Sequence, residues 1–100
     1  MRGREYCAFL LTGERGLQEV FQVLNVDGLS GSFQVPDSEL ARVEAHARRR
    51  GMTIGAFIHS HHSTVQMSPA DRRSHARSRY PWIVVRLNSD GFDYATYPVE

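Results

Sequence analysis

Thr53-Ile-Gly-Ala-Phe-Ile-His59-Ser-His61-His-Ser-Thr-Val-Gln-Met-Ser68-Pro-Ala-Asp71 is the stretch on which the reading of this chain turns. Its apolar part, Ile54 to Ile58, has the character of a buried strand, and a strand is predicted over Thr53 to His59. Side chains alternate along an extended chain, so His59 and His61 project to one side while Ser60 points away. Ten residues beyond His61, Asp71 offers a hard oxygen donor. Three protein ligands with an open fourth position is the arrangement of a catalytic zinc, which suggests a small zinc hydrolase. Taken singly the parts are weak. His-x-His is common among solvated and core histidines, and Ser68-x-x-Asp71 alone reads as a helix cap. Their convergence across one loop, from the end of a strand to the start of a helix, is harder to explain by capping.

Working outward, Glu5 to Leu11 is predicted to be a first strand, nearly all apolar and ending at Thr12-Gly13. Glu14-Arg-Gly16 is a turn signal, and Leu17 to Val26 is a second strand hairpinned to the first. Asp27-Gly28 and Ser30-Gly31-Ser32 mark a loop leading through Phe33 and Val35 to Pro36. Asp37 or Ser38 is expected to cap a helix to about Arg50, with Leu40, Val43 and Ala47 on one stripe and Gly51 as terminator. Arg48-Arg-Arg50 lies in its last turn, where cations complement the helix dipole. Ser68-Pro69 opens a second helix to about Ser78, Tyr80-Pro81 ends it, and Asn88-Ser-Asp-Gly91 joins strands Trp82–Leu87 and Phe92–Tyr97. The sum is one α/β domain over residues 1–100, of about five strands and two helices.

Bulk properties exclude several classes. The chain has 100 residues, 23% of them charged, with a formal net charge of +1. That balance argues against a dedicated nucleic-acid binder, although Arg72, Arg73, Arg77 and Arg79 could form a local patch. All twelve basic residues are arginine, so no lysine is available for catalysis. No apolar run approaches the roughly 20 residues that span a bilayer. The N-terminus lacks a signal-peptide segment, and a single cysteine, Cys7, fits a reducing, cytoplasmic setting. Cys7 sits within an apolar run and reads as a buried, inert thiol. Ser60 and Ser63 lack the Gly-x-Ser-x-Gly surroundings of a serine nucleophile.

His59-Ser-His61 followed by Ser68-x-x-Asp71 resembles the signature of the JAMM metalloproteases, the catalytic branch of the MPN (JAB/Mov34) domains. Glu5-Tyr-Cys-Ala-Phe-Leu-Leu-Thr-Gly13 resembles that family's upstream Glu-x-Cys-Gly-Leu-Leu-x-Gly block. The resemblance implies an MPN-like (cytidine-deaminase-like) α/β domain, an approximately five-stranded mixed sheet packed with two helices. It implies Zn²⁺ on His59, His61 and Asp71 with water as fourth ligand, Glu5 as proton carrier and Ser68 as oxyanion donor. It further implies hydrolysis at the C-terminal tail of a ubiquitin-like or sulfur-carrier protein. The alternative is a noncatalytic MPN scaffold binding a partner protein, and a homo-oligomer remains open. This chain departs from the family in the loop His62 to Met67, six residues where seven are usual, which leaves His61 or His62 as second ligand. Ala8 replaces a common glycine, and the family's usual N-terminal helix has no counterpart in the four residues before Glu5.

Overall fold

The computed structural model describes residues 6–23, 35–61 and 64–99. Five strands and two helices follow in the order β1 (Cys7–Thr12), β2 (Gln18–Val23), α1 (Asp37–Arg49), β3 (Thr53–His61), α2 (Pro69–Ala76), β4 (Trp82–Asn88) and β5 (Gly91–Tyr97). They form a mixed sheet in the order β2-β1-β3-β4-β5. Only β3 and β4 run parallel, and α2 is the crossover between them. The fold is the α/β arrangement expected, and every predicted strand and helix is present.

Helix α2 stops at Ala76, two residues short of the expected Ser78, and the predicted end of the second strand at Val26 lies outside the described residues. Two further differences have clear physical reasons. Strand β3 continues past His59 to His61, because Ser60 and His61 pair with Val85 and Arg86 of β4. Helix α1 begins at Asp37 with Pro36 as its N-cap, and no side chain caps it. Neither Asp37 nor Ser38 therefore plays the predicted capping part; Asp37 instead places its charge in the first turn, where the helix dipole favours it. The other end is as predicted. Gly51 takes φ 67°, its N–H bonds the Arg48 carbonyl at 3.2 Å, and the Met52 N–H bonds the Ala47 carbonyl at 2.8 Å. This is a Schellman closure, and the following Met52 drops into the core.

Both helices lie on one face of the sheet. His46 of α1 packs on Phe21 of β2 at 4.8 Å between ring centroids and reaches Glu19 at 2.9 Å. His75 of α2 stands against Trp82 at 5.3 Å. Between them, Phe9, Leu11, Val43, Ala47, Met52, Phe57 and Trp82 form the core. The cross-strand row Phe21, Phe9, Phe57, Trp82, Tyr97 crosses all five strands and is aromatic throughout. The next row along holds Val23, Cys7, His59, Val84 and Ala95. At the bulge between Leu10 and Leu11, Gly55 is the extra residue of β3. A Cβ there would meet the Thr12 methyl at 3.2 Å, so glycine suits the close approach.

Candidate metal centre

Because β3 runs unbroken through His61, both histidine rings stand on the helix-covered face at the C-terminal end of a central strand. The first turn of α2 brings Asp71 over them. His61 Nε2 lies 2.9 Å from Asp71 Oδ2, His59 Nε2 lies 3.5 Å from the same oxygen, and the two Nε2 atoms are 3.1 Å apart. His59 and Asp71 are 0% and 2% exposed, so no water screens these contacts from outside.

The donor set fits a metal ion. Around a tetrahedral zinc with bonds of about 2.0–2.1 Å, neighbouring ligand atoms sit about 3.3 Å apart, and the three separations straddle that value. Each Nε2 carries one hydrogen or one lone pair, and an ionised carboxylate only accepts. No single placement of a hydrogen satisfies all three contacts, whereas one cation does. Among the described residues, this is the group of His, Cys, Asp and Glu side chains that can hold a metal.

The local electrostatics favour the deprotonated donors that a metal requires. Burial pushes the His59 imidazole below its ordinary 6.5, with His61 adding to the effect and Asp71 opposing it. For Asp71 burial is the largest influence and acts upward. The hydrogen bonds from His59 and the Ser68 N–H, with the neighbouring histidines, outweigh it and hold the carboxyl below its ordinary 3.8. A histidine charge cannot help Asp71 if burial keeps His59 neutral, so the Ser68 N–H, 3.1 Å from Oδ2, is the more dependable support.

Ser68 and Asp71 form a reciprocal capping box. The Asp71 N–H donates to Ser68 Oγ at 3.1 Å while the Ser68 N–H donates to Asp71 Oδ2. With aspartate in place of the usual longer acid, the same carboxylate oxygen closes the box and faces the histidines. Cap and donor cluster are one structure.

The sequence-predicted residues thus fall into two groups. His59, His61, Ser68 and Asp71 are brought together; Glu5 and His62 lie outside the described residues. Among the described residues His61 lies within the cluster. Cys7 is buried, cross-strand from His59, as an inert thiol would be.

Four supporting residues were not singled out from sequence. Trp82 meets the His59 ring edge-on at 5.1 Å, and Phe57 stacks on it at 5.6 Å, which together restrain the imidazole. His75 Nε2–H donates to the Tyr97 carbonyl at 3.2 Å, and the Tyr97 hydroxyl donates to the Val65 carbonyl at 2.7 Å. Tyr97 therefore ties β5 to the segment that leads into Ser68. Its place in an alternating strand was the available signal, but a tyrosine there reads first as core. Next to the site, Arg86 is cross-strand from His61 and ion-paired with Asp93.

Comparison with known proteins agrees with this architecture. The solution structure of protein DSY2949 from Desulfitobacterium hafniense superposes with a TM-score of 0.70 at 19% identity, covering 93% of this chain and 76% of that one. At that identity the likeness concerns the fold. No curated protein matches. The model for prokaryotic homologs of the JAB domain matches residues 2–97, nearly the whole length, and with the His59, His61 and Asp71 cluster and the mixed sheet already in view the chain belongs to that family.

Proposed function

We propose that this protein is a zinc-dependent peptidase or isopeptidase that cuts at the C-terminal tail of a ubiquitin-like or sulfur-carrier protein. The observation that carries the reading is the buried convergence of His59 Nε2, His61 Nε2 and Asp71 Oδ2 within 3.5 Å. Burying two imidazoles and a carboxylate against each other is costly without a cation to share. A scaffold has no use for that cost. The JAB-domain family includes metalloproteases, which agrees with this assignment.

His59, His61 and Asp71 would hold the metal, which when bound supplies Lewis acidity and lowers the pKa of its water toward about 7. Glu5 would take the proton of the attacking water and return it to the leaving amine. Ser68 Oγ accepts the Asp71 N–H, so its own hydroxyl hydrogen remains to donate to the oxyanion that develops on the scissile carbonyl. A donor of that kind is typically worth about 3–4 kcal/mol.

Metal analysis and one substitution test the proposal. The purified protein should carry or take up one equivalent of zinc. Glu5→Gln should keep that zinc and lose cleavage of a ubiquitin-like fusion; undiminished cleavage would remove the assigned mechanism.

A further inference from the structure

On the helix-covered side, strand register sets the residues in successive rows. The aromatic row through Phe57 and Trp82 is followed by one with His59 and Val84, and then by His61, Arg86 and Asp93. This third row runs from buried to open. The side chains of His61, Arg86 and Asp93 are 8%, 37% and 47% exposed in turn. The described part of the metal centre is therefore bordered, over β4 and β5, by an accessible cation.

Arg86 is unusual for its place. Among the described residues it is the only arginine on a strand. Its Nη2 donates to Asp93 Oδ2, which Asn88 Nδ2 also approaches at 3.5 Å. An ion pair this exposed adds little to stability. The β4–β5 ladder and the turn between them, where Asn88 Oδ1 accepts the Asp90 N–H, already hold the hairpin. For the same reason another carboxylate can replace Asp93 at small cost. A guanidinium is a rigid fork of donors matched to a carboxylate, and Asp93 shows one seated on it.

We infer that Arg86 anchors the free C-terminal carboxylate of the leaving segment, so that the protein trims short extensions from the end of its substrate's tail. This rests on the peptidase reading above and narrows it. Arg86 and Asp93 stand one and two strands from His61, and strands lie about 4.8 Å apart, so the guanidinium is within about 5–10 Å of that ligand. An extended chain covers about 3.5 Å per residue, which matches a leaving segment of one to three residues. The carboxylate of a long extension lies beyond that reach, and an isopeptide-linked lysine within a chain has none to offer. Hydrolysis breaks the amide bond after the carrier's terminal glycine. Hydroxide from water goes to the acyl carbon and the proton to the leaving amine, while Arg86 keeps its own protons and only binds.

Paired probes test the inference: a ubiquitin-like protein extended past its terminal glycine by two alanines, ending as free acid or as carboxamide, and fluorescent peptides of its last residues in both forms. Peptide binding is read by anisotropy on EDTA-treated protein, where no metal can take the carboxylate itself. The acid should bind about 10-fold more tightly than the amide. Arg86→Gln should abolish that preference and Arg86→Lys restore part of it. On the zinc-loaded protein, Arg86→Gln should raise KM for the acid about 10-fold and leave kcat and the amide's KM unchanged. Circular dichroism and zinc content should match the wild type. Equal binding of acid and amide by the wild type, or an Arg86→Gln effect shared by both forms, overturns the inference. An Arg86-dependent preference for the acid with no cleavage of either substrate removes the peptidase reading and keeps the carboxylate site. Cleavage indifferent to the carboxylate does the reverse.

Discussion

Asp71→Asn separates the two duties of one carboxylate. The amide oxygen can still accept the Ser68 N–H that now lies 3.1 Å from Oδ2, so the capping box and the start of α2 should survive. What is lost is the negative charge that faces His61 at 2.9 Å and His59 at 3.5 Å. In the absence of metal the substitution should change stability by no more than about 1 kcal/mol, because the hydrogen-bond pattern of the cap persists. In the presence of metal the difference should be large. A ligand at 1,000 times its Kd stabilises by about 4.1 kcal/mol. At 4–8 °C per kcal/mol for a domain of this size, that corresponds to a rise in Tm of roughly 16–33 °C. Differential scanning calorimetry in EDTA and in micromolar zinc reads both quantities. The wild type should show the large zinc-dependent rise and Asp71→Asn almost none. An equal rise in the two proteins, or none in the wild type, would refute the assignment of Asp71 as a ligand and of the cluster as a metal centre.

Other consequences are open to direct measurement. His59 is held below its ordinary 6.5 chiefly by burial, so the unfolded chain binds a proton there that the native state refuses. Stability without metal should therefore be level above about pH 6.5 and fall as the pH drops below it, by up to about 1.4 kcal/mol per pH unit. Asp71 has the same sign lower down, its contribution being lost as the pH falls from 3.8 toward its depressed native value. Urea unfolding in EDTA at pH 7.5, 6.0 and 5.0 tests the first part, and His59→Gln should flatten the profile. Ser68→Ala removes the acceptor for the Asp71 N–H and should cost about 1 kcal/mol, whereas Ser68→Thr, which keeps the oxygen, should restore most of it in thermal melts. Tyr97→Phe deletes the hydroxyl bound to the Val65 carbonyl. As a support behind the ligands it should weaken zinc affinity by about 10-fold or more in chelator competition, with the sheet intact by circular dichroism.

How much was legible beforehand follows from the range of each interaction. The local signals held: apolar runs for the strands, Gly51 for the end of α1, Asn88 to Gly91 for the last hairpin, Ser68-Pro69 for the start of α2. Those features are decided by neighbours in the chain, and the Asn88 side chain indeed accepts the Asp90 N–H at 2.9 Å. Period-2 alternation was enough to put His59 and His61 on one side. Spacing and the likeness to known motifs were enough to nominate Asp71. The start of α1 escaped because several residues near Pro36 suit a cap equally well. The extension of β3 escaped because the pairing of His61 belongs to β4, twenty-five residues away.

The amino-acid order by itself thus determined the elements, their order and the three candidate donors, since each rests on local backbone chemistry or strand periodicity. Only the tertiary structure decided that His59, His61 and Asp71 meet within 3.5 Å. It also decided that Trp82, Phe57 and Tyr97 stand behind them.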